Sequence, residues 1–256
     1  MKKLTLFFLI VGFLFGLFWI CLNQNYATPI LMYHSLDKSR VDSYAAVDPE
    51  VFRKQMEFIK VGGYKVVSLV EYCKLLKQGE TIPQNIVVIT FDDGYKDNLK
   101  AVEVLKEFGY PITIFVIAKE IGSNGFLSRE DILSFLAEAE IKVNIGSHTL
   151  THAYLPDQVE SVMRREIFQS KSLLEENLSQ DVETFSYPIG GFTKEALLDV
   201  EDAGYLCACT TNRGFSRKLN RFALRRIKIT NRDSGFSLWA KLSGFYNSLR
   251  TPKNPY

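Results

Sequence analysis

Residues 85–95, Asn-Ile-Val-Val-Ile-Thr-Phe-Asp-Asp-Gly-Tyr (NIVVITFDDGY), decide the fold. The unbroken run Ile86–Thr90 suits a strand buried on both faces, as in a parallel sheet covered by helices. It continues through Phe91 into two adjacent carboxylates. Asp92 and Asp93 therefore sit where a buried strand emerges. Two like charges side by side repel unless something positive lies between them, and a divalent cation is the simplest candidate. Gly94 allows a sharp turn with close backbone approach. The plainer alternative is a strand ending in a solvated Asp-Asp-Gly turn, and both readings stay open on this stretch alone.

Outward from it, strands and helices alternate. Pro29–Tyr33 reads as a strand ending at His34, and Pro49–Lys60 as a helix with Phe52, Met56 and Ile59 on one face. Tyr64–Leu69 is a strand and Val70–Gln78 a helix. Asn98–Phe108 is helical and Pro111–Ile117 a strand. Ser128 with Asp131 forms a capping box for a helix through Ala139. Then come a strand at Ile141–Ile145, a helix at Asp157–Leu178, a strand at Val182–Tyr187 and a helix at Thr193–Ala203, closed by Gly204. Tyr205–Thr211 and Leu224–Thr230 are the last strands, and Ser234–Leu249 a packing helix. Such alternation argues for parallel strands with right-handed crossovers. The expected fold is α/β, a distorted (β/α) barrel of about seven parallel strands, with a doubly wound open sheet as runner-up. His34, Asp92, Asp93, His148 and Pro188 each follow an apolar run, on the rim where parallel β/α folds build active sites.

The chain of 256 residues carries a net charge of +2 with no long basic block, so nucleic acid is not an expected partner. Lys2 and Lys3 precede Leu4–Leu22, about 19 nearly all apolar residues that span roughly 28 Å as a helix. The lysines place that end in the cytoplasm. An uncleaved signal anchor is expected, with the following domain outside the cytoplasm; secretion after cleavage is the rival, disfavoured by the bulky Phe18, Trp19 and Ile20 at the boundary. Residues 1–23 are thus expected as the anchor, 24–232 as one folded domain and 233–256 as a packing helix and tail. Cys21 lies in the apolar segment. Cys207 and Cys209 are neighbours on one strand face, which strains a bridge between them, so Cys73, Cys207 and Cys209 are expected as buried free thiols.

His148-Thr149-Leu150-Thr151-His152 holds two of the three histidines. At i and i+4 they share one face of a helical turn and can reach one ion. A pair of capping or surface histidines is the alternative. With an aspartate they make a two-His, one-carboxylate set with open positions, the pattern of a catalytic metal site. Phe185-Ser186-Tyr187-Pro188-Ile189-Gly190-Gly191 is a proline turn whose backbone N–H groups could stabilise an oxyanion, or a plain turn.

TFDDGY, SHTLTH and the YPxGG turn, in that order on those elements, resemble the polysaccharide deacetylase family, the NodB-homology group or carbohydrate esterase family 4. LMYH (31–34) and LRRI (224–227) resemble the branch with extracellular poly-N-acetylglucosamine deacetylases. The resemblance covers about Pro29–Ile229. It implies Asp93, His148 and His152 as metal ligands, Asp92 as general base, and Tyr187, Pro188 and Ile189 at the oxyanion and substrate side, with the Ile189 N–H as donor. The implied cofactor is one divalent ion; zinc suits the donors best, and cobalt, nickel and manganese are compatible.

Two departures stand out. Ser186 occupies the position where many relatives have an arginine holding the base. Arg226 is the candidate replacement, because a guanidinium clamps a carboxylate at two points; an ordinary strand-end arginine is the alternative. The late Leu-x-His of most relatives is missing, and the LMYH branch implies His34 as general acid; a hydrogen-bonded strand-end histidine is the alternative. The function implied is a metal-dependent N-deacetylase acting on N-acetylglucosamine units of an extracellular or cell-wall polysaccharide. Three other readings are weighed: an O-acetyl polysaccharide esterase, a non-catalytic polysaccharide-binding barrel, and an iron oxygenase, which the β/α alternation disfavours.

Overall fold

Val and Ile runs flanked by amphipathic helices produce the expected alternation. The structure, a computed structural model, describes residues 2–24, 26–37, 39, 45–212 and 219–248. In chain order the elements are α1 (Lys2–Gln24), β1 (Ile30–Tyr33), α2 (Pro49–Val61), β2 (Lys65–Val67), α3 (Leu69–Gln78), β3 (Ile86–Phe91) and α4 (Asn98–Lys106). These are followed by β4 (Ile112–Val116), α5 (Arg129–Leu136), β5 (Val143–Ser147), α6 (Glu160–Leu178), β6 (Thr184–Ser186) and α7 (Lys194–Asp202). The last are β7 (Cys207–Thr210), β8 (Leu224–Arg225), β9 (Ile227–Lys228), α8 (Gly235–Leu242) and α9 (Phe245–Ser248). The Ser128–Asp131 capping box forms as expected.

All strand pairings are parallel, in the order β8-β7-β6-β5-β4-β3-β1-β9. The two ends of that path are consecutive in sequence. Leu224 and Arg225 pair with β7, Ile227 and Lys228 pair with β1, and only Arg226 lies between. The sheet is therefore a nearly closed barrel, and the open doubly wound alternative does not form. The expected strand Leu224–Thr230 is broken because its halves bind different neighbours. Distortion enters at β3, whose first half pairs with β2 and whose second half pairs with β4.

Alternation within each strand sorts the core. Leu31, Tyr33, Val87, Ile89, Phe91, Ile114 and Ala208 face the helices, while Ile30, Val88, Phe115, Cys207, Cys209 and Leu224 pack together on the other face. Leu69, Tyr72 and Cys73 of α3 join that second cluster.

The cysteines depart from expectation. Cys73 and Cys207 form a disulfide across 134 residues, with Cα atoms 6.2 Å apart. Alternation explains it: Cys207 points away from the helical layer, toward the cluster that receives α3, and a helix can bring Cys73 there with no local spacing to announce it. Cys209 is the buried free thiol, its pKa pushed up to about 12 by burial. Losing a bridge of this span costs about 2–5 kcal/mol. Cys73→Ser, or reduction, should therefore lower the melting temperature by roughly 5–15 °C in scanning calorimetry. An unchanged melting temperature would mean the thiols are not paired.

The N-terminal segment is helical through Gln24, beyond the expected boundary. Leu4, Leu6, Phe7, Phe8, Leu9, Phe13 and Leu14 are all exposed, so residues 4–14 of the helix are apolar around its circumference. Among the described residues no helix is long and apolar enough to cross a membrane. The side chains at positions 1–3, 15, 17–19 and 21–23 of the expected anchor lie outside the described residues, Lys2 and Lys3 among them.

Candidate active site

β3 delivers Asp92 and Asp93 to the rim, where they take different partners. Asp92 follows Phe91 in extended backbone, its N–H donating to the Tyr33 carbonyl. Asp93 turns left-handed (φ 71°), and Gly94 follows at φ 73°. A Cβ at Gly94 would lie 2.8 Å from Val116 Cγ1, so glycine is required there for fit as well as for conformation.

Asp93 meets the two histidines. Its Oδ1 lies 3.5 Å from His148 Nε2 and 3.4 Å from His152 Nε2. The expected helical turn is not how this happens. Residues 148–152 form a loop in which Thr149 (φ 66°) and His152 (φ 64°) are left-handed. Two cross-bonds hold it: Thr149 N–H donates to Ser147 Oγ and His152 N–H to Thr149 Oγ1. The i, i+4 spacing predicts proximity correctly, but through a reversed loop that no helical periodicity describes.

The donors fit a metal ion. Two ligands about 2.0–2.2 Å from a tetrahedral ion lie about 3.3–3.6 Å apart; both carboxylate–imidazole separations fall in that range, and all three donor atoms lie within 4.8 Å of one another. The hydrogen bonding says the same. His148 Nδ1 lies 2.8 Å from the Ser186 carbonyl, which can only accept, so Nδ1 carries the proton. Nε2 then aims its lone pair at a carboxylate oxygen, an arrangement that repels unless a cation sits between. Burial lowers the His148 pKa, against the pull of Asp92 and Asp93, and favours the neutral ligand form. The hydrogen bond to Asp93 raises that of half-buried His152. Burial pushes Asp93 up, but the His152 hydrogen bond and the charges of His148, His34 and His152 outweigh it and hold Asp93 well below the usual carboxylate range. Among the described residues, Asp93, His148 and His152 are the only group placed to hold an ion.

Asp92 is gripped separately. Arg226 Nη1 and Nη2 donate to its Oδ1 and Oδ2, each at 2.6 Å. The same guanidinium donates to Ser186 Oγ (2.8 Å), Thr90 Oγ1 (3.2 Å) and the Thr210 carbonyl (3.3 Å). Arg226 thus interrupts the closing strand, turns inward and fills the space that Ser186 leaves. Burial raises the Asp92 pKa, and the charge of Arg226 overrides this, so the carboxyl stays below its ordinary value.

His34 follows β1, and the pairing of Tyr33 with Phe91 sets it beside Asp92. Its carbonyl accepts from Asn98 Nδ2 (2.9 Å), and its Nδ1 is buried with no partner among the described residues. Burial lowers its pKa, while Asp92 and Asp93 raise it in part. Ile189 stands on the rim, 67% exposed and left-handed (φ 59°), with no acceptor for its N–H among the described residues. Pro188, the residue before it, is buried. Tyr187, expected at the substrate side, is fully buried, stacks on Phe192 and donates its hydroxyl to the Phe222 carbonyl. Aromatic packing on the helical side takes its ring away from the rim. Of the five non-glycine residues with positive φ among those described, Asp93, Thr149, His152 and Ile189 lie at this site. Such conformations cost about 1–3 kcal/mol each and persist where surrounding structure enforces them.

The sequence model for polysaccharide deacetylase matches residues 79–208, which include both aspartates, both loop histidines and the proline turn. YxkH of Bacillus subtilis (strain 168), named among polysaccharide deacetylases, is 33% identical over 224 residues, 87% of this chain and 78% of its own length. A poly-β-1,6-N-acetyl-D-glucosamine N-deacetylase of Staphylococcus epidermidis is 25% identical over 221 residues, 80% of this chain and 74% of its own. Among solved structures, the Streptococcus pyogenes deacetylase PplD in complex with acetate superposes with a TM-score of 0.76 at 26% identity, over 84% of this chain and 97% of that one.

Proposed function

Because the chain belongs to the polysaccharide deacetylase family and is one of its hydrolases, we propose that it is a metal-dependent N-deacetylase acting on N-acetylglucosamine units of an extracellular polysaccharide. The observation that carries this is the shared Asp93 oxygen, within 3.5 Å of both histidine Nε2 atoms and next in sequence to the clamped Asp92. Asp93, His148 and His152 would hold a divalent ion, which would supply Lewis acidity to water and to the acetyl carbonyl.

The chain's own groups account for the remaining steps. Asp92, kept ionised by Arg226, takes a proton from the attacking water. The Ile189 N–H faces the oxygen on which charge develops. His34 delivers a proton to the sugar nitrogen as the C–N bond breaks, giving acetate and a free amine. An amine leaves poorly without that proton, so the His34 role separates amide from ester hydrolysis.

A poly-N-acetylglucosamine exopolysaccharide is favoured over peptidoglycan, on the strength of the staphylococcal relative. Outward placement is supported by the disulfide, since such bridges persist in oxidising compartments. The anchor rests on Leu4–Leu22 and on the apolar surface of α1. Residues 24–232 are the catalytic unit in this reading and 233–256 its packing helix and tail, of which α8 adds Leu238 and Leu242 to the core.

Purified protein should release acetate from β-1,6-linked N-acetylglucosamine oligomers. Chelation should reduce the rate at least about a hundredfold, with recovery on adding zinc. Acetate release only from O-acetylated polymers would replace the reading with an esterase; oligomer binding without release would replace it with a binding barrel.

A further inference from the structure

Glu166 lies in the middle of α6, 2% exposed, and no basic side chain pairs with it among the described residues. A buried carboxylate without a counter-charge is costly unless its oxygens are fully hydrogen-bonded. Both oxygens are committed to the histidine loop. Oε2 accepts from the Leu150 N–H (3.0 Å) and the Thr151 N–H (2.8 Å), and Oε1 accepts from Thr151 Oγ1 (2.7 Å). These peptides lie midway between His148 and His152, flanked by left-handed Thr149 and His152. On the other side the loop is tied by the Ala118 N–H to the Thr149 carbonyl and the Lys119 N–H to the Leu150 carbonyl.

We propose that Glu166 is a positioning residue for the metal centre. It fixes the two central peptides of the loop and so holds His152 Nε2 within reach of the ion that His148 and Asp93 bind. The inference rests on the reading of those three residues as metal ligands. It adds that the site is pre-formed by a carboxylate on a neighbouring helix. Removing the acceptors leaves two loop N–H groups unpaired, and the strained turn then relaxes.

The test compares Zn²⁺ affinity of full-length folded protein, by competition with a chromophoric chelator, alongside melting of the metal-free forms. Glu166→Gln preserves the contacts, because the amide oxygen accepts both N–H groups and the Thr151 hydroxyl can turn to accept. Its affinity should stay within about threefold of wild type. Glu166→Leu removes both acceptors and should weaken binding about 10–100-fold. Should that variant not fold, Glu166→Asp, one methylene shorter, should still weaken binding about tenfold. Wild-type affinity in the Leu or Asp variant, with only a lowered melting temperature, would make Glu166 merely structural and overturn the proposal. Wild-type protein that takes up no zinc would instead remove the metal-centre reading itself.

Discussion

Asp92→Asn is expected to release acetate about 10²–10⁴-fold more slowly than wild type while still binding one equivalent of metal. The substitution keeps size and shape but removes the proton acceptor. It also turns an amide donor toward Arg226, which already donates to both carboxylate oxygens, so some stability is lost as well. Metal uptake is the control, because Asp93 and the two histidines remain. A variant that binds zinc yet turns over at the wild-type rate would remove Asp92 from the chemistry.

Arg226→Met should destabilise the barrel strongly. The pair is fully buried, and deleting one partner of such a pair typically costs about 3–5 kcal/mol because the other charge is stranded. In a domain of this size the melting temperature should fall by roughly 6–20 °C. Arg226 also donates to Thr90, Ser186 and Thr210, so the break between β8 and β9 loses its filling. Without the guanidinium, only the charges of His148 and His34 oppose burial, so the Asp92 pKa rises and the base is lost to protonation nearer neutral pH. The double variant Arg226→Met with Asp92→Asn should recover much of the lost stability, since no stranded charge remains, but no activity. Failure of the second substitution to restore stability would mean that packing by Arg226, and not its pairing with Asp92, dominates.

The parts legible in the sequence were those encoded locally. A Val/Ile run entering Asp92-Asp93-Gly94 states both a buried strand and the charge at its end, because hydrophobic period and turn chemistry act over a few residues. The histidine spacing announced proximity but not conformation: left-handed Thr149 and His152 follow from cross-bonds to Ser147, Thr149 and Glu166. Nothing local marks Glu166 among the many charges of α6, and its partners come from a loop 15 and 16 residues away. A capping-box rule applied to a short window could not have found it. Arg226 was reachable by asking what replaces a missing cation beside Asp92, with its distance from that residue, 134 positions, left to the closing of the barrel. The Cys73–Cys207 bridge spans the same separation and had no such chemical question pointing to it. Tyr187 shows the converse: a residue in the proline turn whose ring packs in the core.

The most direct test of the shared-ion centre is anomalous scattering from crystals of the protein soaked in zinc, recorded on both sides of the zinc edge. The structure predicts one strong peak about 2.0–2.2 Å from an Asp93 carboxylate oxygen, His148 Nε2 and His152 Nε2 together. A peak elsewhere, or none within bonding distance of all three, would contradict it.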